Sequence, residues 1–315
     1  MRDKKIITIF GSTGTQGGSL AHAILSDAHS EFAVRAVTRD PDSEGAKHLS
    51  GLGAELVQAD IDNPGEIRKA LDGAYGAYFV TFFWAHFSPE KELLQAKNFA
   101  DAASKSGLQH AIWSTLEDTR EFIPPGDDSI PTLQGSYKVP HFDAKGEADK
   151  FFTSLNVPVT FLRISFYWEN FIHFGAGPKR GDDGRLYLSL PMGDTKMAGI
   201  AAEDIGKCAY GIFKKGSPLH GKTIGIAGDK LTGYEMAEAF SRALGEEVVY
   251  NKMSADDYRG LGFPGADDMG NMFQFYRDYE IANKVRDVNV SRELNPELKS
   301  FPQWLAFNAR QIPLE

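Results

Sequence analysis

Residues 5–25 read KIITIF-GSTGTQGG-SLAHAIL, which is an apolar run, a glycine-rich turn and a segment whose apolar residues have helical spacing. This order predicts a strand, a tight turn and a helix that opens on unsatisfied backbone N–H groups, an arrangement that binds anions. Gly11 permits the turn, Gly14 lets a pyrophosphate approach the backbone, and Gly17 lets the helix pack close to the strand. The alternative is a turn without a ligand, which would hardly need three glycines at this spacing. The stretch therefore predicts a dinucleotide-binding unit.

The composition of the 315-residue chain is that of an ordinary globular protein, with 42% hydrophobic and 24% charged residues. Its length allows one large α/β domain or two smaller ones. The net charge of −9 argues against direct, nonspecific binding of nucleic acid, which needs clustered Lys and Arg. It does not exclude binding to a protein that itself binds DNA.

The single cysteine, Cys208, excludes an intrachain disulfide and is typical of a reducing compartment. It lies in the apolar helical stretch Ile205–Phe213, where a buried structural thiol is a more common reading than a redox sensor. The sequence has no apolar run of 18 residues and no signal-peptide pattern. We expect a cytoplasmic protein without membrane association, or one that also reaches the nucleus through a partner.

Strand and helix patterns alternate through the first 165 residues. Strands are predicted at 5–10, 32–37, 55–60, 75–81, 110–114 and 157–164, with helices at 19–25, 64–71, 89–106 and 141–155. This alternation predicts a doubly wound parallel Rossmann sheet with ligands at the carboxyl ends of its strands. We predict a Rossmann domain over 1–164 and a smaller mixed α/β region over 165–315, with helices near 203–213, 232–244 and 254–260. Elements at about 195–227 could belong to either part.

The end of the second predicted strand bears on the choice between NAD and NADP. An NAD site commonly has an Asp or Glu there, whereas this strand runs into Thr38, Arg39, Asp40 and Pro41. Arg39 offers a planar donor group for a 2′-phosphate, and Pro41 should turn Asp40 away. The alternative is that Arg39 is a surface arginine with no role in cofactor binding. NADP is therefore the favoured cofactor, with NAD as the weaker candidate. Asp60 and Ile61, after the third strand, are placed to flank the adenine, although Asp60 could instead cap the next helix.

A catalytic pair is incomplete in this sequence. A short-chain dehydrogenase carries Tyr-x-x-x-Lys on the helix after the fifth strand, where the lysine lowers the pKa of the tyrosine and binds the nicotinamide ribose. This chain has Lys145 at the right offset but His141 in place of the tyrosine. His141 could act as an acid near neutral pH or be a polar wall residue, and the second reading is slightly favoured. Ser114 follows the fifth strand, and Tyr137 could substitute only if the helix extended back past Pro140.

Several motifs together resemble the NmrA-like family, an atypical branch of the short-chain dehydrogenase/reductase superfamily, and within it the NADP-sensing members with His in place of the tyrosine. The resemblance spans essentially the whole chain and rests on Gly11–Gly18, Thr38-Arg39, Val80-Thr81, His141-x-x-x-Lys145, Tyr167–Asn170, Leu190–Asp194 and Gly262–Ala266.

The resemblance implies a role for each part of the cofactor site. Pyrophosphate would contact Gly11, Ser12, Thr13, Gly14, Thr15 and Gln16, with Arg39 on the 2′-phosphate and Asp60 on the adenine side. The nicotinamide ribose would be lined by Thr81, Phe82 and Phe83 and held by Lys145. The nicotinamide would be covered by Tyr167, Trp168, Glu169 and Asn170.

The chain departs from the family pattern in two places. Phe82 stands where the family often has Asn, which puts one hydrogen bond to the cofactor in doubt. The basic cluster after Arg39 is thin, because Asp42, Ser43 and Glu44 leave only Lys47 a turn later, and this weakens the NADP preference without reversing it. The segment 118–134 is a candidate lid over the cofactor cleft or an inert surface loop.

Two functions remain open at this point. The favoured one is an NADP(H)-responsive redox sensor without the catalytic tyrosine, which regulates a protein partner. The alternative is an NAD(P)H-dependent reductase of a small molecule such as a quinone or an enone, with Lys145, His141 or water completing proton transfer. No metal is expected, since the histidines lack ligand spacing. The apolar helical faces leave room for a homodimer.

Overall fold

The computed structural model describes residues 4–124 and 126–315. The strands are β1 (Lys5–Ile9), β2 (Phe32–Thr38), β3 (Glu55–Gln58), β4 (Gly76–Phe79), β5 (His110–Thr115), β6 (Val159–Arg163), β7 (Phe166–Tyr167), β8 (Lys179–Arg180), β9 (Leu186–Ser189), β10 (Met197–Ile200), β11 (Thr223–Ile226), β12 (Asp229–Leu231), β13 (Val248–Asn251) and β14 (Arg286–Asp287). The α-helices are α1 (Thr15–Leu25), α2 (Glu44–Gly51), α3 (Pro64–Ala70), α4 (Pro89–Ala103), α5 (Pro140–Ser154), α6 (Asn170–His173), α7 (Ala202–Lys215), α8 (Gly233–Leu244), α9 (Ala255–Arg259), α10 (Ala266–Asp278), α11 (Ile281–Lys284), α12 (Val288–Leu294) and α13 (Phe301–Asn308).

The largest sheet confirms the predicted doubly wound class. Among the described residues it has eight strands in the order β14-β11-β6-β5-β4-β1-β2-β3. Neighbours from β6 through β3 run parallel, as strands joined by helical crossovers must. The order reverses at β1, which pairs with β2 on one side and β4 on the other. A ligand crevice is expected at such a reversal, outside the carboxyl ends of the strands.

The sheet is buried on both faces by apolar side chains. On one face α3, α4 and α5 cover a core in which Phe10, Phe79 and Phe99 stack against one another, with ring centroids 4.8–5.4 Å apart. On the other face α1 packs on α7, where Gly206 lies against the backbone of Ser19. Strands covered in this way read as continuous apolar runs, which is why the sequence identified them.

The chain divides into two compact units. The first comprises the residues up to Leu116 together with Ala144–Arg163 and Ala202–Ile224, and the second comprises Glu117–Asp143, Ile164–Ala201 and Gly225–Glu315. The division at 163/164 falls beside the predicted boundary. Residues 117–143, which the sequence analysis assigned to the Rossmann domain, cluster instead with the second unit.

The second unit contains two small sheets, β12-β10-β7 and β13-β9-β8. Trp168 is buried between two glycines: a Cβ at Gly199 would lie 2.2 Å from its Nε1, and one at Gly228 would lie 2.8 Å from its ring. Arg286 and Glu117 form a fully buried bidentate pair, with N–O distances of 2.6 and 3.0 Å. Those interactions anchor a mixed α/β region, as the sequence predicted for this part of the chain.

Candidate functional site

A pocket of about 550 Å³ opens in the first unit at the carboxyl ends of β1 to β4. Each of these strands contributes the residues that follow it to the wall. The lining is Phe10, Gly11, Thr13, Gly14, Val37, Thr38, Arg39, Asp40, Ser43, Ala59, Asp60, Ile61, Asp62, Val80, Phe82, Ala85, His86, Lys91 and Gln95. The volume is in the range of ligand sites. The pocket therefore lies where the strand order predicted a ligand crevice.

The glycine turn shapes one side of this pocket. Gly11 has a φ of 64°, a conformation that L-residues rarely adopt. A Cβ on Gly17 would lie 2.4 Å from the Gly11 carbonyl oxygen, so only glycine lets α1 begin this close to β1. No side chain caps α1 and its first turn carries no acidic residue. Backbone N–H groups and the positive end of the helix dipole thus remain suited to an anion.

Three residues predicted to bind pyrophosphate, Ser12, Thr15 and Gln16, do not line the pocket. Ser12 is buried and its hydroxyl donates to the Val37 carbonyl at 2.8 Å, which ties the turn to β2. Gln16, in the first turn of α1, accepts a hydrogen bond at 2.5 Å from the hydroxyl of Tyr78 on β4. Thr15 opens α1. The hydrogen bonds of Ser12 and Gln16 stabilise the conformation of the glycine turn.

Arg39 and Asp40 both reach the pocket wall after β2. Pro41 therefore does not remove Asp40 from the lining, and the direction in which its carboxylate points stays a prediction. The Asp40 carboxylate accepts the backbone N–H of Asp42 at 3.0 Å, an Asx-type contact that keeps it at the strand end. Arg39 and Asp40 thus both lie at the end of β2, where the sequence predicts the 2′-substituent of a bound dinucleotide.

Asp60 and Ile61 line the pocket after β3. The helix α3 is capped by Asn63, whose side chain accepts the Gly65 N–H at 3.0 Å, so Asp60 is not the cap. Asp60 instead accepts the backbone N–H of Asp62 at 2.9 Å through Oδ1. The alternative role left open by the sequence is thereby removed.

The residues that follow β4 differ in position: some line the pocket and others are buried in the interior. Phe82 is 64% exposed and lines the pocket, whereas Phe83 is buried in edge contact with Trp84 and lies outside the lining. Thr81 is also buried and outside the lining.

Lys145 is buried on α5 and paired with an acid that the sequence analysis did not single out. Its Nζ lies 2.7 Å from Glu92 Oε1 on α4 and 2.5 Å from the hydroxyl of Thr81. Burial by itself would raise the pKa of Glu92, but the charge of Lys145 and hydrogen bonds from its neighbours lower it to about 2. The Glu92 carboxylate is therefore ionised at neutral pH. Lys145 does not form part of the pocket lining.

Ser114 and Tyr78 meet within the sheet of the first unit. Burial raises the pKa of Tyr78, an effect only partly offset by its hydrogen bond with Ser114. A phenol held neutral in this way is a structural donor and does not replace the missing catalytic tyrosine.

His141 opens helix α5 and is held in the second unit. Its Nδ1 lies 2.7 Å from Asp268 Oδ1 on α10, and its backbone N–H donates to Asp268 Oδ2 at 3.1 Å. Both side chains are buried. Because an ionised carboxylate only accepts, this contact places a proton on Nδ1 and orients the ring. The helix begins at Pro140, so Tyr137 lies outside it, with its ring under the guanidinium of Arg120 at 4.8 Å.

The residues predicted to cover the nicotinamide all belong to the second unit. Tyr167 ends β7, Trp168 is buried, and Asn170 begins α6. Glu169 accepts a hydrogen bond at 3.0 Å from the indole N–H of Trp304. Their predicted role over the cofactor stays a prediction. The same holds for the lid at 118–134, of which Pro125 lies outside the described residues.

The parallel sheet, the strand-order reversal and the pocket outside it define a Rossmann-type α/β protein. The model of the NmrA-like family matches residues 3–305, and the chain belongs to that family. The NmrA-like family domain-containing oxidoreductase cpsB of Aspergillus campestris is 30% identical over 292 residues, which cover 86% of this chain and 82% of that protein.

Two solved structures share the fold. NmrA, a negative transcriptional regulator, in complex with NADP superposes with a TM-score of 0.79 at 22% identity, over 97% of this chain and 95% of that one. The triphenylmethane reductase of Citrobacter sp. complexed with NADP(H) superposes with a TM-score of 0.74 at 18% identity, over 97% of this chain and 99% of that one. The expected resemblance to the NmrA-like family is therefore confirmed.

No helix in the described ranges combines the length and hydropathy that a bilayer crossing requires.

Proposed function

We propose that this chain binds NADP(H) in the pocket of the first unit and reduces a small molecule with it. The observation that carries the proposal is the pocket itself, which joins the uncapped start of α1 to Arg39 and to Asp60. These three features suit a pyrophosphate, a 2′-phosphate and an adenine in turn. The solved NmrA and triphenylmethane reductase complexes contain NADP or NADP(H), which supports the same cofactor here.

When bound, NADPH supplies a hydride, and the reduction also needs a proton unless the acceptor takes it from solvent. The imidazolium form of His141 is the candidate source and would donate from Nε2, since His141 stands one helical turn before Lys145 on α5 and Asp268 holds the proton on Nδ1. An oriented imidazole favours an enzyme over a protein that only binds. The oxidoreductase name of the 30% identical relative supports the same conclusion. This reverses the order of the two functions that the sequence favoured.

The sensor remains the second candidate because two observations favour it. The tyrosine is absent, and the charge of Lys145 is balanced within the first unit by Glu92. A sensor would have to bind NADPH and NADP⁺ with different affinities in two conformations and pass the difference to a protein partner. Partner binding, a homodimer and a cytoplasmic or nuclear site of action belong to this proposal.

The decisive experiment measures binding of NADPH, NADP⁺, NADH and NAD⁺ by calorimetry, and then NADPH oxidation with a panel of quinones and enones. Turnover with any acceptor supports the reductase. Tight binding without turnover, together with a large difference in affinity between NADPH and NADP⁺, supports the sensor. Absence of nucleotide binding overturns both.

The variant Asp268→Asn tests the proton donor. We expect it to lower kcat for enones by about 100-fold, a usual contribution of general acid catalysis, while the Kd of NADPH stays within twofold. Quinone reduction should fall less, because a quinone can take its proton from solvent. Asp267→Asn, which changes an exposed acid beside it on α10, is the matched control. Equal activity of the two variants would exclude His141 as the donor.

A further inference from the structure

Among the described residues, three buried polar atoms of the first unit lie without a hydrogen-bond partner at one place in the chain. They are His86 Nε2, Glu92 Oε2 and Gln95 Oε1. Buried polar atoms are normally hydrogen-bonded, so such a group calls for an explanation. His86 and Gln95 also line the pocket, and Glu92 lies between them in the chain. The orphaned atoms thus mark a polar network directly behind the pocket wall.

The hydrogen bond at His86 Nδ1 decides whether Nε2 carries a proton. Nδ1 lies 3.1 Å from the backbone N–H of Ser88 and accepts that hydrogen bond. In the neutral ring the proton is therefore on Nε2, which lies 3.4 Å from Glu92 Oε2. A small approach of the two atoms completes a charge-assisted hydrogen bond.

Glu92 binds the other end of the same wall segment through its second oxygen. Oε1 accepts a short hydrogen bond from the hydroxyl of Thr81 and lies 2.7 Å from the ammonium of Lys145. The ammonium also contacts Thr81 and lies 5.2 Å from the centre of the Trp113 ring. One fully buried carboxylate thus connects Thr81 and His86.

The segment between these two contacts forms a large part of the pocket wall. Val80, Phe82, Ala85 and His86 all line the pocket, while Thr81 points to the interior. Phe87, directly after it, has a φ of 54°, a strained value for an aromatic residue. Strained residues persist where the surrounding contacts fix them. The conformation at Phe87 is therefore imposed by its neighbours, and Glu92 contacts both Thr81 and His86 in the segment that precedes it.

We propose that Glu92 is a positioning residue of the nucleotide site, which fixes the wall segment 80–87 by binding Thr81 and Lys145 with one oxygen and His86 with the other. The proposal rests on the proposed function for its effect on NADPH. Its effect on the wall segment does not depend on any nucleotide.

The test compares Glu92→Gln with Glu90→Gln, which changes an exposed acid on the same helix whose side chain accepts a hydrogen bond from the hydroxyl of Ser88. Hydrogen–deuterium exchange of the protein without nucleotide is the first readout. We expect exchange of peptides within 80–88 to rise at least tenfold in Glu92→Gln and to stay unchanged in Glu90→Gln, with the central strands protected in both. Unchanged exchange in 80–88 would overturn the proposal.

Nucleotide affinity is the second readout. We expect the Kd of NADPH, and its KM where turnover is found, to rise about tenfold in Glu92→Gln, while kcat at saturation stays within twofold because Glu92 touches no reacting atom. A fall in kcat at unchanged Kd would contradict a positioning role. If the wild-type protein binds no NADPH, the proposed function fails. The exchange data alone then decide whether Glu92 fixes the wall segment 80–87.

Glu92→Gln leaves the Lys145 ammonium buried without its counter-charge and could prevent folding. The double variant Glu92→Gln/Lys145→Met removes both charges and keeps the test open. We expect it to fold and to show the same fast exchange in 80–88, since the amide at position 92 has a single acceptor oxygen and cannot accept from both Thr81 and His86 as the carboxylate does. Wild-type exchange in this double variant would overturn the proposal.

Discussion

Two residues of opposite charge are neighbours at the end of β2, where the 2′-substituent of the proposed dinucleotide would lie. Arg39 and Asp40 both reach the wall after β2. A guanidinium favours a 2′-phosphate, whereas a carboxylate favours the free 2′-hydroxyl of NAD. A preference for NADP therefore requires that the attraction of the 2′-phosphate to Arg39 be stronger than its repulsion by Asp40.

Arg39→Glu should reverse that preference. We expect the Kd of NADPH to rise by about 10- to 100-fold, which corresponds to the loss of one charged hydrogen bond of about 1.5–3 kcal/mol, while the Kd of NADH changes little. Calorimetric titration of both nucleotides measures the effect, with Arg68→Glu on α3 as a control for charge alone. An equal loss for NADPH and NADH would mean that Arg39 does not read the 2′-phosphate.

The residues found correctly on the pocket wall are those whose role follows from local sequence. The glycine turn, Arg39 and Asp60 each follow a recognisable strand, and parallel strands bring their carboxyl ends together. Glu92 and Asp268 were missed because their partners, Lys145 and His141, lie far away in sequence. The signal for Glu92 is its spacing on α4: it shares a buried face with Gln95, Ala96 and Phe99, at an offset where a charge is unexpected.

At the level of elements, the strands and the long helices were predictable and the short ones were not. Continuous apolar runs identified β1 to β6, since both faces of that sheet are covered. Helix α2 was missed because only Ala46 and Leu49 are buried along it, which gives a weak pattern. Helix α10 was missed for a different reason. The buried face of α10 is partly polar, with Asp268, Asn271 and Gln274, so hydropathy does not mark it.

The crossing of α1 and α7 depends on Gly206. A Cβ at this position would lie 2.1 Å from the Ser19 carbonyl carbon and 2.3 Å from the Leu20 nitrogen, which are backbone atoms that cannot rotate away. We expect Gly206→Ala to lower the free energy of unfolding by about 3 kcal/mol, as overpacking does. Chemical denaturation measures the change. Gly51→Ala on α2, where a Cβ meets nothing within 4 Å, should be neutral or slightly stabilising, and a similar loss in both variants would contradict the packing argument.

For the whole molecule, the buried His110 and the half-buried His220 of the first unit predict sensitivity to acid. His110 donates through Nε2 to Thr160, whose hydroxyl donates onward to the Leu219 carbonyl, and its ring lies 4.6 Å from that of His220. Burial, with the nearby His220, lowers the pKa of His110 to about 4, and burial also lowers the pKa of His220. The unfolded chain therefore binds protons that the folded one does not, between roughly pH 6.5 and pH 4.

Stability should fall as the pH falls through that window. A histidine with a pKa of about 4 in the folded state contributes a loss of roughly 3 kcal/mol by pH 4. His110→Phe should remove much of this loss, so that its melting temperature declines less between pH 7 and pH 4. His48→Phe, at an exposed position on α2, should retain the wild-type decline. An identical acid profile for His110→Phe and the wild type would exclude His110 as the cause.

The interleaving of the two units has a consequence for how the protein can be made. Each unit is assembled from three separated stretches, and the first needs residues as late as Ile224. During synthesis, helix α1 must wait for more than half of the chain to leave the ribosome before α7, which packs against it, arrives. No single truncation frees either unit intact. Tags and fusions therefore belong at the ends, and the nucleotide pocket can be studied only in a polypeptide that extends well past it.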